Sequence, residues 1–504
     1  MKKTLLFCST ALFLATSCVD SLKDYNVDPK SATKVTAITL VSNAERTLAR
    51  TVASPNVNLN IFRLIIQYWA ETTYFDESIY NITARPIPGT YWTSFYRDAL
   101  ADLREARKII AADQLITEPV RKNQLAIADV LEIYGWTTLV DTFGNIPYSK
   151  ALNIDSPQPA YDDAAAIYVD LFTRLNADIA NMDATAGAGN FGNGGELYYG
   201  GDVAAFKKFA NSLKLRMALT IADVDDVKSK LYAAQAAPGV FSSNDESATL
   251  KFRSTAPSTN PLWEDLIQSG RYDFVGANTL TNKMNALNDP RRPSYFKLAR
   301  NGTYRGGVPG TNNSYSTFSA PGTRLEDPAL PGYLLTYTEV EFLLAEAVAR
   351  GYSVGGTVAP HYENAITASI EQSGGSTVDA AAYLAQPTVA YATASGNYKE
   401  KIGVQKWIAL YDQPVDSWRE YRRLDYPVLT APAQALSVLP LRLTYPVIEQ
   451  NLNTASYNAA AAAIGGDKVG TKIFWDKFKF PGKKQKRAVD FDGPFLCLFL
   501  KLSG

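Results

Sequence analysis

His361 is the only histidine among 504 residues, which narrows the chemistry open to this chain at once. A zinc site built on an HExxH pair, or a metal cluster with several imidazoles, cannot be assembled. A Ser/His/Asp triad would have to use His361 itself. That histidine sits in Ala359-Pro-His-Tyr-Glu363, where Pro360 reads as the first residue of a helix, and a solvated or capping role is expected for it. Gly187-Ala-Gly-Asn-Phe-Gly192 spells G-x-G-x-x-G. It follows a helical pattern and runs into more glycine, without the strand-turn-helix setting that seats a phosphate on a helix N-terminus, so it reads as a flexible loop. A helical glycosidase would need two carboxylates about 5 to 10 Å apart across a cleft; Asp76 with Glu77, or Asp273, could be recruited, but carboxylates are too common to decide the matter. No catalytic residue, metal or cofactor is expected.

What the chain has in abundance is flat rings: 29 Tyr, 22 Phe and 7 Trp. A sugar offers an apolar face of C–H groups that stacks on a phenol or indole, while its hydroxyls exchange hydrogen bonds with Asn, Asp, Gln and Arg. Two stretches combine those residue types. One runs from Trp69 to Trp92 and carries Tyr74, Tyr80 and Asn81. The other, Pro-, Gly- and Asn-rich, carries Trp263, Tyr272, Asp273, Tyr304 and Tyr315. These eight are the candidate ligand-binding residues, with loop-pinning as the alternative reading. Trp69, Phe75, Trp92, Phe95 and Tyr96, near helical spacing, are expected to pin loops onto the body.

The elements that must position these residues are helices. Apolar residues recur at i, i+3, i+4 and i+7 at Ile127, Val130, Leu131 and Tyr134, again at Tyr168, Leu171, Phe172 and Leu175, and at Phe206, Phe209, Ala210 and Leu213. Helix pairs near 92–140, 161–221, 336–373 and 398–424 suit degenerate helical-hairpin repeats. Between them lie two long irregular zones, 183–202 and 254–334, and loops of that length are usually functional or disordered. Gly144-Asn-Ile-Pro147 is a helix stop. Asn211 and Ser212, on an apolar helix, are expected to bond backbone from a neighbouring hairpin. Asp289-Pro290 with Arg291 and Arg292 reads as a turn offering guanidinium groups to a carboxylate. Glu339, Glu341 and Glu346 can serve as solvated or inter-hairpin charges.

Both ends of the chain look unlike its middle. Lys2 and Lys3, a short apolar run and Leu14-Ala-Thr-Ser-Cys18 form a secretory signal over residues 1–17. The exit resembles a bacterial lipobox, which makes Cys18 the lipidation site. Residues 479–504 form an atypical basic then apolar tail, read as a read-through extension. The whole chain balances 50 basic against 50 acidic residues, but without Lys2, Lys3 and the seven basic and two acidic residues from Lys477 onward the count is 41 against 48. An acidic body argues against a nucleic-acid partner.

Seven segments in order carry a family resemblance: Tyr134–Tyr148, Phe209–Ala218, Met284–Arg291, Tyr337–Ala347, Gln405–Tyr411, Trp418–Arg423 and Arg442–Pro446. Together, behind a lipobox, they resemble the SusD/RagB family of outer-membrane nutrient-binding lipoproteins over residues 18–478. The resemblance implies a mainly α protein: one domain of tetratricopeptide-like helical hairpins bearing a loop-rich, variable ligand face. It implies a lipid anchor in the outer membrane, facing the exterior, and a SusC-like TonB-dependent transporter as partner. The ligand would be an oligosaccharide, or a peptide as in other members of that family. The intact mass of the mature protein checks both ends: a chain starting at an acylated Cys18 is expected, and an unmodified Cys18 would refute the anchor.

Overall fold

The computed structural model describes residues 35–186, 191 and 195–477. The signal segment, Cys18, most of the Gly187–Gly192 turn and the tail from 479 lie outside the described residues. The apolar periodicities become long helices: α1 (Ala37–Ala53), α2 (Ile87–Phe95), α3 (Ala101–Ala112), α4 (Glu118–Phe143), α5 (Ala164–Asn181), α6 (Val203–Thr220) and α7 (Asp226–Ala236). After the second irregular zone follow α8 (Tyr337–Ala349), α9 (Val358–Gln372), α10 (Tyr398–Ala409) and α11 (Pro414–Leu424). Side-chain caps start them: Asp163 accepts from the N–H of Ala165 and Ala166, Asp202 from Ala204 and Ala205, and Asn397 from Glu400. The expected pairs form, α3 with α4, α5 with α6, α8 with α9, and α10 with α11. On α4 every residue from Ala126 to Phe143 is buried, which makes it the central helix. It stops where predicted: Gly144 takes a φ of +83° and its N–H donates to the Val140 carbonyl at 2.8 Å.

Strands are few. β1 (Trp69–Glu71) pairs antiparallel with β3 (Phe274–Gly276), placing Glu71 opposite Phe274. β2 (Ala248–Leu250) pairs antiparallel with β4 (Gly332–Leu335). Among the described residues, no helix is long and apolar enough to cross a membrane.

The hairpins are locked by buried charge. Glu339 on α8 takes Arg216 of α6 at 2.5 Å and Arg419 of α11 at 2.7 Å, and Arg419 also reaches Asp416 at 2.8 Å. Glu420 accepts from Lys406 of α10 at 2.6 Å and from Arg423 at 2.6 Å, and Arg423 also grips Glu346. Arg350 continues from Glu346 at 2.8 Å to Asp223 at 2.9 Å, where Lys399 joins. Glu339 and Glu346 are fully buried, so of the two roles open to them the inter-hairpin one holds and the solvated one does not. Burial alone would raise the Glu346 carboxyl, but Arg423 and Arg350 hold it below the usual carboxylate range.

Other expectations fare unevenly. Asp289 is met by Arg291 at 2.6 Å in a fully buried ion pair, as anticipated, while Arg292 donates to the Asp289 carbonyl and to Asn285 Oδ1 rather than to a carboxylate. Asn211, by contrast, donates to the Lys207 carbonyl of its own helix at 2.8 Å, and Ser212 alone serves a neighbouring segment, accepting from the Phe241 N–H at 3.0 Å. The reason is crowding: a Cβ on Gly239 would lie 2.8 Å from the Asn211 amide, so the passing chain fills the space that amide would need. His361 is not free: its Nδ1 is 2.7 Å from Glu341 Oε2, and that hydrogen bond raises its pKa.

Replacing Glu339 by Ala leaves two buried guanidinium groups facing each other. A loss of about 3 to 5 kcal/mol is expected in chemical denaturation, and a loss under 1 kcal/mol would show that the network is not a structural lock.

Candidate functional site

β1 is bolted to the helical body before it reaches the surface. The Tyr68 hydroxyl donates to Ser417 Oγ at 2.7 Å and to the Trp407 carbonyl, and Trp407 Nε1 returns a bond to the Ile66 carbonyl at 3.1 Å. Trp69 Nε1 donates to the Tyr411 hydroxyl at 2.7 Å, and the Tyr411 ring stacks on Tyr295 at 4.1 Å. Past the strand, backbone and amide bonds gather three loops. Thr72 N–H donates to the Asp273 carbonyl at 2.9 Å and its Oγ1 to the Tyr272 carbonyl at 2.7 Å. Asn313 Nδ2 donates to the Glu71 carbonyl at 2.9 Å and its Oδ1 accepts from Val308 N–H at 2.8 Å. Gly307 is obligatory beside it, since a Cβ there would lie 2.5 Å from Asn313 Oδ1.

The segment 72–85, the hairpin 269–273 and the segment 308–318 therefore converge at one edge. There Tyr272 and Tyr74 are each 64% exposed, and Tyr272 leans on Tyr315 with ring centroids 4.7 Å apart. Beside them lies a cavity of about 320 Å³, whose lining includes Asn56, Asn58, Tyr74, Asp265, Arg271 and Asp273. A narrow extension reaches Glu71, Glu77 and Arg85. Arg271 pairs with Asp273 at 2.7 Å, while Arg85 pairs with Glu77 and donates to Asn58 Oδ1 at 3.2 Å.

The electrostatics of this corner are unusual. Burial, then the neighbouring charges of Glu264 and Asp273, raise the Asp265 carboxyl to about 6. Burial, then the hydrogen bond and charge of Glu77, raise Glu71 to about 9, so near neutral pH the Glu71 carboxyl keeps its proton. Glu71 Oε2 meanwhile accepts from the Ser78 N–H at 3.0 Å, which ties the Tyr74 loop to β1. Among the described residues no group of three or more His, Cys, Asp or Glu side chains is placed to hold a metal ion.

Of the eight predicted residues, Tyr74, Tyr272, Asp273 and Tyr315 come together here. Of these, Tyr74 and Asp273 line the cavity, whereas Tyr272 and Tyr315 pack on each other beside it, and the other four do not line it. Tyr80 is only 2% exposed, with a φ of +65° that turns its ring inward; Gln67 Nε2 donates to its hydroxyl at 3.3 Å, and burial pushes that hydroxyl up to about 12. It is a core residue, and a direct ligand contact is ruled out by its burial. Asn81 is spent on Asp76 at 3.3 Å. Tyr304 lies under the Arg292 guanidinium at 5.6 Å, and Trp263 is half-buried at the end of a short helical turn. Of the loop-pinning rings, Trp69, Trp92, Phe95 and Tyr96 are buried as expected. Asp265 and Arg271 are functional groups that ring-centred reasoning passed over. Asp265 sits in a π-helical turn, Glu264–Gln268, a local feature frequent at functional sites but silent in sequence.

A family model described as "SusD-like: starch-binding associating with outer membrane" matches residues 29–446. The chain belongs to this SusD-like family. Solved SusD homologues share its fold. A chitin-binding one from Flavobacterium johnsoniae is 25% identical, with a TM-score of 0.73, covering 87% of this chain and 98% of its own. One from Bacteroides uniformis is 26% identical, with a TM-score of 0.73 and coverage of 87% and 99%. A third structure, a chitin-binding protein, is 24% identical with a TM-score of 0.74 and coverage of 88% and 100%. No curated protein matches this sequence. The SusD-like scaffold of helical hairpins is thus the expected one.

Because Glu71 holds its proton more tightly folded than unfolded, it favours the folded state fully at acid pH, and that contribution is lost as pH rises from its unfolded value toward about 9. Urea melts of wild type and Glu71→Gln at about pH 5, 7 and 9 check this: the wild type should lose stability relative to the variant across that window. Parallel behaviour would mean that Glu71 is ionised throughout.

Proposed function

We propose that this chain is a cell-surface glycan-binding lipoprotein that captures an oligosaccharide at the Tyr74–Tyr272 edge. In this reading it passes the glycan to a SusC-like TonB-dependent importer in the outer membrane. The observation that carries the proposal is the strongly exposed Tyr74 ring lining a polar cavity, with the equally exposed Tyr272 ring leaning on Tyr315 along the same edge. Exposed rings held in place by backbone bonds are costly to leave in water without a use, and they match the apolar face of a sugar. The Asn, Asp and Arg groups below them match its hydroxyls. The family description as starch-binding and the chitin-binding names of two structural relatives point the same way. Anchoring at Cys18 and an exterior orientation belong to the same proposal. Capture and release require no bond to be broken, so the protein acts as a binder and not as an enzyme.

Calorimetry against a panel of neutral oligosaccharides tests this. Binding is expected, and Tyr272→Ala and Tyr74→Ala should each weaken it by about 1 to 2 kcal/mol, while Tyr80→Phe should leave it unchanged. Binding of oligopeptides with no glycan bound would replace this reading with a peptide-binding one, and glycan turnover would point to a hydrolase. Purification from native membranes should bring down a β-barrel partner; its absence would count against delivery to an importer.

A further inference from the structure

The charges lining the cavity do not balance. Asp265, Asp273 and Arg271 line its wide part, and Glu71, Glu77 and Arg85 its narrow extension. Arg271 is committed to Asp273 and Arg85 to Glu77. Asp265 and Glu71 are left without a cation at hydrogen-bond distance among the described residues, and the Asp265 carboxylate accepts no hydrogen bond there. Glu77 is fully buried, and its Oε2 has no hydrogen-bond partner among the described residues. Other charges that face Asp265 are Glu264 on its own turn and Arg63, which sits behind Trp69 at 5.2 Å from that ring and donates to the carbonyls of Ala53 and Ser54. Four lining carboxyls thus meet two lining guanidinium groups, and the shortfall is made up by protons.

A group of positive charge entering the cavity can take the place of such a proton. The carboxyls do not converge as metal ligands do, so the geometry suits a cation that donates hydrogen bonds to acceptors spread over two walls. A sugar stacked on Tyr74, which lines the cavity, directs its substituents toward those walls. We propose that the cavity receives the ammonium group of an amino sugar whose nitrogen carries no acyl group, with the Asp265 carboxylate as its counter-ion. This rests on the glycan-binding reading above and narrows it to glycans rich in free amine. Acidic sugars are disfavoured by the same surplus of carboxylate.

The test uses the full chain and two chito-oligosaccharides of equal length, one fully N-acetylated and one fully deacetylated, titrated calorimetrically from about pH 5 to 8. At about pH 6.5 the deacetylated oligomer should bind about tenfold tighter, the effect of one half-buried ion pair. Its affinity should fall on both sides, below as Asp265 takes up a proton and above as the amine loses one. Asp265→Asn should bring the ratio of the two affinities near one; the carboxylate has no structural partner to lose, and an unchanged thermal melt verifies the fold. Equal binding of both oligomers, or a preference that survives Asp265→Asn, overturns the inference and leaves glycan binding standing. Binding of a lysine-rich peptide with neither oligomer bound overturns both.

Discussion

Everything in this protein hangs on a chain of charges that water cannot reach. Arg216, Glu339, Arg419, Asp416, Glu420, Lys406, Arg423 and Glu346 come from α6, α8, α10 and α11, and each is buried. Apolar helix faces tolerate sliding, because one methyl group replaces another at small cost. A buried guanidinium does not, because moving it off its carboxylate leaves two uncompensated charges in a low dielectric. The network therefore fixes the register of the α5–α6, α8–α9 and α10–α11 hairpins against one another, and apolar packing fills in around that register.

The ligand edge inherits this precision. α10, α11 and the turn between them carry Trp407, Ser417 and Tyr411, and these three hold Tyr68 and Trp69 at the start of β1. From β1 the order passes to β3 through backbone pairing, and to the third loop through Asn313. Rings far from any long helix thus stand on a chain of bonds that ends in the buried charges. This arrangement separates tasks: the scaffold is held by side chains pointing inward, and the exposed rings of Tyr74 and Tyr272 are free to differ without disturbing it.

Much of this was legible in the sequence, for physical reasons. Helical periodicity reports which faces are buried, so the four hairpins could be placed, and Gly144 marks the end of α4 because few other residues tolerate its backbone angle. Composition could also single out the ring-bearing loops, two of which the structure brings to one edge. What local pattern cannot report is which way a ring points. Tyr80 and Tyr74 share one polar, turn-rich segment, yet a positive φ at Tyr80 buries the first while the second faces water. Glu339 and Glu346 look like ordinary surface charges on an amphipathic helix until Arg216, Arg419 and Arg423 arrive from elsewhere in the chain. Asp265 enters the cavity because one turn widens to the π form, which leaves no mark in residue type.

The C-terminal end of the described chain sets the timing of folding. Trp475 Nε1 donates to Asp141 Oδ1 at 2.9 Å, across 334 positions, and the Arg422 guanidinium lies over both Trp418, at 3.4 Å, and Trp475, at 4.8 Å. Arg419 reaches Glu339 across 80 positions. A chain still emerging from the ribosome has made α4 and α8 long before it has made the residues that neutralise and cover them. Its core stays incomplete until nearly the last segment is present, and contacts of such long range form slowly.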